Sequence, residues 1–194
     1  MTGDTRAGFD LDELLDECRA ARDETSPLRA AREALARALE RPDAVGDALR
    51  PARGGLTLLH HEPDLTVIHV VWAPGMTLYP HDHRMWAVIG IYAGQEDNAF
   101  YRRSGPAART LVESGGKELG PGDVLMLGDD TIHAVSNPLD RLTAAIHVYG
   151  GDFVNQPRSQ WGPGPREERP FDVDGLARLF EDANRAWEAG APGP

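Results

Sequence analysis

Cysteine is nearly absent: Cys18 is the only one in 194 residues. A lone thiol rules out an intramolecular disulfide and fits a reducing compartment. Long apolar runs are missing too, so nothing approaches the ~20 residues that a membrane-spanning helix needs. The first twenty residues carry Asp and Glu rather than the basic-then-apolar order of a secretory leader. Positive charge is scarce: 20 Lys and Arg against 31 Asp and Glu leave a formal net charge of −11. That balance argues against phosphate-led nucleic-acid binding and against docking on anionic membranes. The expectation is a cytoplasmic protein, monomeric or homodimeric, with no nucleic-acid or membrane partner. What is plentiful is turn chemistry, with Gly 21 and Pro 15, mainly after residue 50.

Read in order, residues 1–8 suit a frayed terminus. Leu11, Leu14, Leu15 and Cys18 recur at helical spacing over about 10–22. Ser26 followed by Pro27 reads as a cap and first position of a second helix, which Pro42 ends. A short third helix fits 43–50. These amphipathic helices are expected to cover a larger core. From Leu56 the pattern becomes strand-like. Leu56–His60, Leu65–Trp72, Met85–Tyr92, Ala99–Arg103, Thr110–Glu118, Val124–Leu127, Ala134–Ser136 and Leu142–Tyr149 are bounded by turns such as EPD, APG, GQED, SGPA, SGG and GPGD. Eight short strands with no helical pattern between them predict an all-β core, an antiparallel barrel or jelly roll. A Pro- and Gly-rich stretch after Phe153 reads as a strap. A last helix, about Asp174–Ala189, carries Leu176, Leu179, Phe180, Ala183 and Trp187 on one stripe, with Asp172 or Asp174 as its cap. The organisation is one domain: helices over 1–50, barrel over 51–155, strap and helix over 156–194.

The chemistry concentrates in Gly75–Gly94, which holds the pair His81-Asp82-His83. Side chains two apart on an extended strand share a face, so both imidazoles can reach one point. His133 lies in a second glycine-rich stretch, Gly122–Asn137. Three imidazoles suit iron, and also zinc, nickel or copper.

These two stretches resemble the paired motifs of the cupin superfamily. Gly75, five residues, His81-x-His83 and the closing Gly94 match the first motif. Gly122, Gly128, Asp130, His133 and Asn137 keep the spacing of the second, with Gly128 and Asp130 where proline and glycine are usual. The first motif's glutamate is replaced by Ala87 or Val88. Three histidines without that glutamate, followed by His147-Val148-Tyr149, resemble the cysteine dioxygenase-like thiol dioxygenases, and a bacterial branch described as predicted metal-dependent double-stranded β-helix enzymes. The resemblance implies a cupin double-stranded β-helix with N-terminal helices and one C-terminal helix. It implies His81, His83 and His133 as ligands of Fe(II), with zinc or nickel as alternatives and no organic cofactor. It also implies oxidation of a small thiol by O2 to a sulfinate, with Tyr149 and His147 as catalytic residues. Three departures stand out. Val88 occupies the place of the cysteine that cross-links the tyrosine in the mammalian-type enzyme, and the early-strand arginine that takes the substrate carboxylate there is absent near Thr57 and Leu58. Ala145 stands where that family has a serine holding the histidine.

Other residues carry two readings each. Arg102 or Arg103 can supply a substrate cation; alternation admits only one inward, and Arg102 is taken. Tyr79 and Met85 are candidate substrate contacts, while Trp86 reads as core. Asp82 points away from the metal and suits a structural hydrogen bond. Gln95–Asn98 is simplest as a hairpin turn, although Glu96 or Asn98 can face the site. His60, His61 and His69 suit surface or packing roles. The alternative functions are a non-redox lyase, isomerase or hydrolase using zinc or nickel, and a small-molecule-binding module.

Overall fold

The structure is a computed structural model that describes residues 8–104, 110–162 and 167–190. Most of the expected frayed terminus, most of the SGPA turn and part of the strap lie outside the described residues. Three helices come first. α1 (Leu11–Ala21) starts where the Asp10 carboxylate accepts the backbone N–H groups of Asp12 and Glu13. α2 (Pro27–Ala38) opens on proline, and Ser26 before it makes no side-chain cap bond. α3 (Pro42–Leu49) follows directly. The strands are β1 (Gly55–Glu62), β2 (Leu65–Trp72), β3 (Thr77–Asp82), β4 (Ala87–Ala93), β5 (Glu96–Arg103), β6 (Leu111–Leu119), β7 (Val124–Leu127), β8 (Ile132–Ser136) and β9 (Thr143–Tyr149). Two-residue β10 (Ser159–Gln160) and β11 (Arg169–Pro170) belong to the strap, and α4 (Val173–Glu188) ends the fold.

Strand pairing sets the architecture. β2 pairs with β9, β3 with β8, β4 with β7 and β5 with β6, all antiparallel. That is one long hairpin wound on itself, its successive pairs alternating between a sheet β1-β2-β9-β4-β7 and a sheet β11-β10-β3-β8-β5-β6. The nested pairing is a double-stranded β-helix, the jelly-roll barrel of the cupin fold. No helix among the described residues is long and apolar enough to cross a membrane.

The central strands of the first sheet, β2, β9 and β4, are buried on both sides. Ile68, Val70, Trp72, Ile89, Ile91 and Ala145 face the barrel interior. Val67, Val71, Val88, Ile146 and Val148 face Leu14, Leu15, Cys18, Leu35 and Leu39 of the helical layer. This explains why β2 and β9 read as continuous apolar runs rather than alternating ones. Cys18 lies in that layer, and burial pushes its thiol up to about 12, so it carries no thiolate chemistry. At one end of the barrel, α4 adds Leu176, Phe180 and Ala183 to the inner cluster. Phe180 stacks on Trp72 with ring centroids 5.5 Å apart. Asn184 ties the helix down by accepting from the Gly54 N–H and donating to its carbonyl, each at 2.9 Å.

β3 is missing from the expected strands, although the extended backbone expected around His81 and His83 is its C-terminal end. Pro80 interrupts it, and a strand containing proline reads as no strand at all. The structure accommodates Pro80 at an irregularity between Leu78 and His81, where the register against β8 shifts.

Gly94 joins β4 to β5 with φ +77, and a Cβ there would meet Thr143 Oγ1 at 2.2 Å, its Cα at 2.7 Å and the Leu142 carbonyl at 2.8 Å. Gly94→Ala is therefore expected to cost about 2 kcal/mol or more, from left-handed strain plus overpacking against backbone. A lower denaturant midpoint with unchanged slope is the expected reading in equilibrium unfolding.

Candidate metal centre

His81 is the second-last residue of β3, His83 follows just past its end, and His133 lies on β8 directly opposite His81 in the ladder. Arg84 adopts a left-handed backbone with φ 55, turning the chain away immediately after His83. The three imidazoles are buried and their ligand nitrogens converge. His83 Nε2 lies 3.2 Å from His81 Nε2 and 3.3 Å from His133 Nε2. With metal–nitrogen bonds of about 2.1 Å, such separations correspond to N–metal–N angles of about 100°.

The proton positions follow from the partners. His81 Nδ1 donates to the Tyr79 carbonyl at 3.1 Å, and His133 Nδ1 donates to Asn98 Oδ1 at 2.7 Å. Both partners can only accept, so each Nδ1 carries the proton and each Nε2 presents a lone pair. A single proton on His83 could bridge one of the gaps; a divalent ion satisfies all three. Burial, partly offset by the Tyr79 bond, lowers His81 to about 4. Burial and the neighbouring imidazoles hold His83 and His133 well below the usual histidine value. The residues fit a divalent metal ion.

The centre opens on a small cavity of ≈ 30 Å³, lined by the three histidines, His147, Tyr149 and mostly apolar side chains. Val70, Trp72, Leu78 and Val135 come from the barrel wall, Phe153 and Phe171 from the strap, and Leu176 from α4. Tyr149 stacks on Phe153 at 4.0 Å and edges against His83 at 5.1 Å. Its hydroxyl lies 3.0 Å from His147 Nδ1, and burial raises its pKa above the usual phenol value.

Three sequence expectations need correction. Arg102 is exposed. The pairing of β5 with β8 stops at Tyr101 and Ile132, so Arg102 hangs at the rim with no neighbour on that side. The cation whose charge is felt by His81, His83 and Tyr149 is instead Arg158, from the strap. Its guanidinium stacks on Phe153 at 3.9 Å and on Phe171 at 4.4 Å, and its Nε is buried without a hydrogen-bond partner. Tyr79 does not line the cavity with its ring; it enters the site through its backbone carbonyl. Met85 is buried in the interior cluster and packs by Gly151, away from the cavity lining.

Asp82 faces away from the centre. Its carboxylate accepts from the Ser159 N–H at 2.6 Å and from Arg84 Nε at 3.2 Å, fastening the strap to β3. Glu96 and Asn98 form the part of the site that a hairpin-turn reading hides. Both are buried on β5, and their two-residue spacing was the only signal that they share an inward face. For Arg158, Phe153 and Phe171 the strap's composition gave no periodicity to read.

No protein-family model matches the chain. Similar solved structures include a cupin superfamily protein from Desulfitobacterium hafniense, at 18% identity and TM-score 0.44, over 54% of this chain and 86% of that one. Another is an uncharacterised conserved protein with a double-stranded β-helix domain from Klebsiella pneumoniae, at 16% identity and TM-score 0.44, over 60% and 87%. A protein from Bacillus halodurans matches at 12% identity and TM-score 0.47, over 69% and 89%. The fold assignment itself rests on the nested strand pairing, and the metal centre on the three convergent imidazoles.

Because the ligands shed their protons far below neutrality, zinc affinity is expected to stay flat from neutral pH down to about 5 and to fall as His81 protonates near 4. Ordinary histidines would begin to lose metal near their unperturbed pKa of about 6.5. Competition titrations with a chromophoric chelator across that range check it.

Proposed function

We propose that the chain is a non-haem iron(II) dioxygenase that oxidises a small thiol to a sulfinate. The observation carrying this reading is the donor set: three neutral imidazoles, no carboxylate among the ligands, and the Tyr149 hydroxyl at the same cavity. Neutral ligands leave the metal its full charge and open coordination positions. A bound iron(II) would supply the redox chemistry and adjacent sites for sulfur and O2. The reaction balances without an outside reductant: RSH and O2 give RSO2H, both oxygen atoms join sulfur, and sulfur gives up the four electrons that O2 accepts.

This chain's own residues supply the remainder. The apolar walls exclude water and limit the substrate to a small molecule. Tyr149, held by His147, offers its oxygen to a protonated group of the substrate. Arg158 does not line the cavity itself but lies behind Phe153 and Phe171, which do, and from there offers charge to an anionic substrate group. Among the described residues no carboxylate lies within ion-pair distance of it, and one face of its guanidinium edge has an unused donor. The preferred thiol is therefore one with a carboxylate or other anionic group. A second reading, a zinc or nickel centre acting as Lewis acid in a lyase or isomerase, draws on the same three imidazoles.

Oxygen uptake by the iron-loaded protein with a panel of small thiols tests the proposal. Stoichiometric uptake with sulfinate formation is expected, His133→Ala is expected to abolish it, and no uptake with any thiol sinks the reading. Tyr149→Phe is expected to lower kcat by about 10²-fold, the usual scale for a lost proton-handling group. Arg158→Met is expected to raise KM for a carboxylate-bearing thiol by about 10-fold or more, as a charged hydrogen bond lost, while leaving an uncharged thiol of the same length unaffected.

A further inference from the structure

Glu96 is the least expected group in the barrel: a carboxylate with no exposed surface, on a strand whose other inward residues are Asn98 and Phe100. It is fully engaged on both oxygens. Trp72 Nε1 donates to Oε2 at 2.7 Å, and Asn98 Nδ2 donates to Oε1 at 3.0 Å. Oε2 also faces His147 Nε2 at 3.7 Å, a buried nitrogen with no hydrogen-bond partner. Burial pushes the carboxyl pKa up, but His147, Asn98 and Trp72 outweigh it and leave it below the ordinary value, so the group is ionised.

Two arms leave this carboxylate. Through Asn98 one reaches the ligand His133, because the amide that donates to Glu96 must turn its oxygen to His133 Nδ1. Through His147 the other reaches the Tyr149 hydroxyl. A carboxylate can only accept. Oε2 faces His147 Nε2, so a proton belongs on that nitrogen; with Nδ1 left as a lone pair, Tyr149 is the donor. The Tyr149 oxygen then presents a lone pair, not a proton, to the cavity.

We infer that Glu96 is the positioning residue that sets both polarities: it holds the His147 proton on Nε2 so that Tyr149 is an acceptor toward the cavity, and through Asn98 it holds the His133 proton on Nδ1 so that Nε2 is free for the metal. The inference needs only the metal centre. Where the thiol reading holds, it also gives the thiol proton a destination: sulfur passes it to the Tyr149 oxygen, Tyr149 passes its own to His147 Nδ1, and the resulting imidazolium is neutralised by Glu96.

The test uses the full chain, labelled with ¹⁵N-histidine and loaded with zinc, and reads tautomers from long-range ¹H–¹⁵N correlations at neutral pH. No thiol or oxygen is involved, so its failure is separate from failure of the uptake assay. His147 is expected with its proton on Nε2 and a bare Nδ1; a proton on His147 Nδ1 overturns the inference. Glu96→Gln supplies one acceptor oxygen where three donors, Trp72, Asn98 and His147, share two. Either the His147 proton moves to Nδ1, or Asn98 turns over and zinc affinity falls 10- to 100-fold, the usual cost of a lost outer partner to a ligand. A folded Glu96→Gln protein with both quantities unchanged overturns the inference. If that variant does not fold, the spectrum of the unsubstituted protein decides alone.

Discussion

His81 faces His133 across the β3–β8 ladder, and the geometry of the centre depends on that register. Side chains alternate along a strand, so a slip of one residue would turn His81 outward and bring Asp82 in. The register is pinned from both sides. The irregularity between Leu78 and His81 absorbs Pro80, and β10 docks on β3 with Gln160 opposite His81. On the other flank of β8, Phe100 lies opposite His133 and Asn98 opposite Val135. Asn98 is thus the diagonal neighbour of His133 on the inner face, within reach of its Nδ1. One ladder position fixes two ligands and the partner of one of them.

Electrostatics adds a second constraint. The three ligand histidines are held neutral, while Glu96 stays ionised behind them. A buried carboxylate costs several kcal/mol unless its lone pairs are used. Trp72, Asn98 and the nearby His147 use them. The interior therefore carries one fixed negative charge close to a site shaped for a divalent cation, with the charge placed one step behind the ligands rather than among them. The ligand set remains neutral, and the charge acts on how imidazole protons are arranged.

The sequence made the barrel legible because its turns and apolar runs are strong local signals. β2 and β9 are buried on both faces, so they stood out as continuous runs. The ligands were legible through spacing, since His81, His83 and His133 sit among glycines at fixed intervals. Parts of the site built by long-range contact were not. β3 was hidden by Pro80, whose irregularity only the pairing with β8 reveals. Arg102 had the right parity on β5 but lies past the end of β8, and no local pattern reports where a neighbouring strand stops. Arg158 sits in a stretch without periodicity and reaches the centre only because the strap crosses it.

The strap connects these points. Trp161 N–H donates to the Pro80 carbonyl at 2.8 Å, and Ser159 N–H donates to Asp82 at 2.6 Å. Proline lacks a donor, but its carbonyl remains, so the residue that weakens β3 as a strand still takes a strap hydrogen bond. Asp82 is placed outward by the same alternation that places His81 inward, and its carboxylate is nearly buried, held also by Arg84 and lying 3.6 Å from Arg103. Glu168 joins the same cluster through Arg84, Arg103 and Ser159. The inward histidines and the outward aspartate are thus two faces of one short segment. One face gathers the metal ligands, and the other anchors the chain that carries Phe153, Arg158 and Phe171 to the cavity. A change that loosens Asp82 from the strap therefore acts on the substrate side of the centre without touching a ligand, and the geometry of the metal and the closure of the pocket are set by the same few residues of β3.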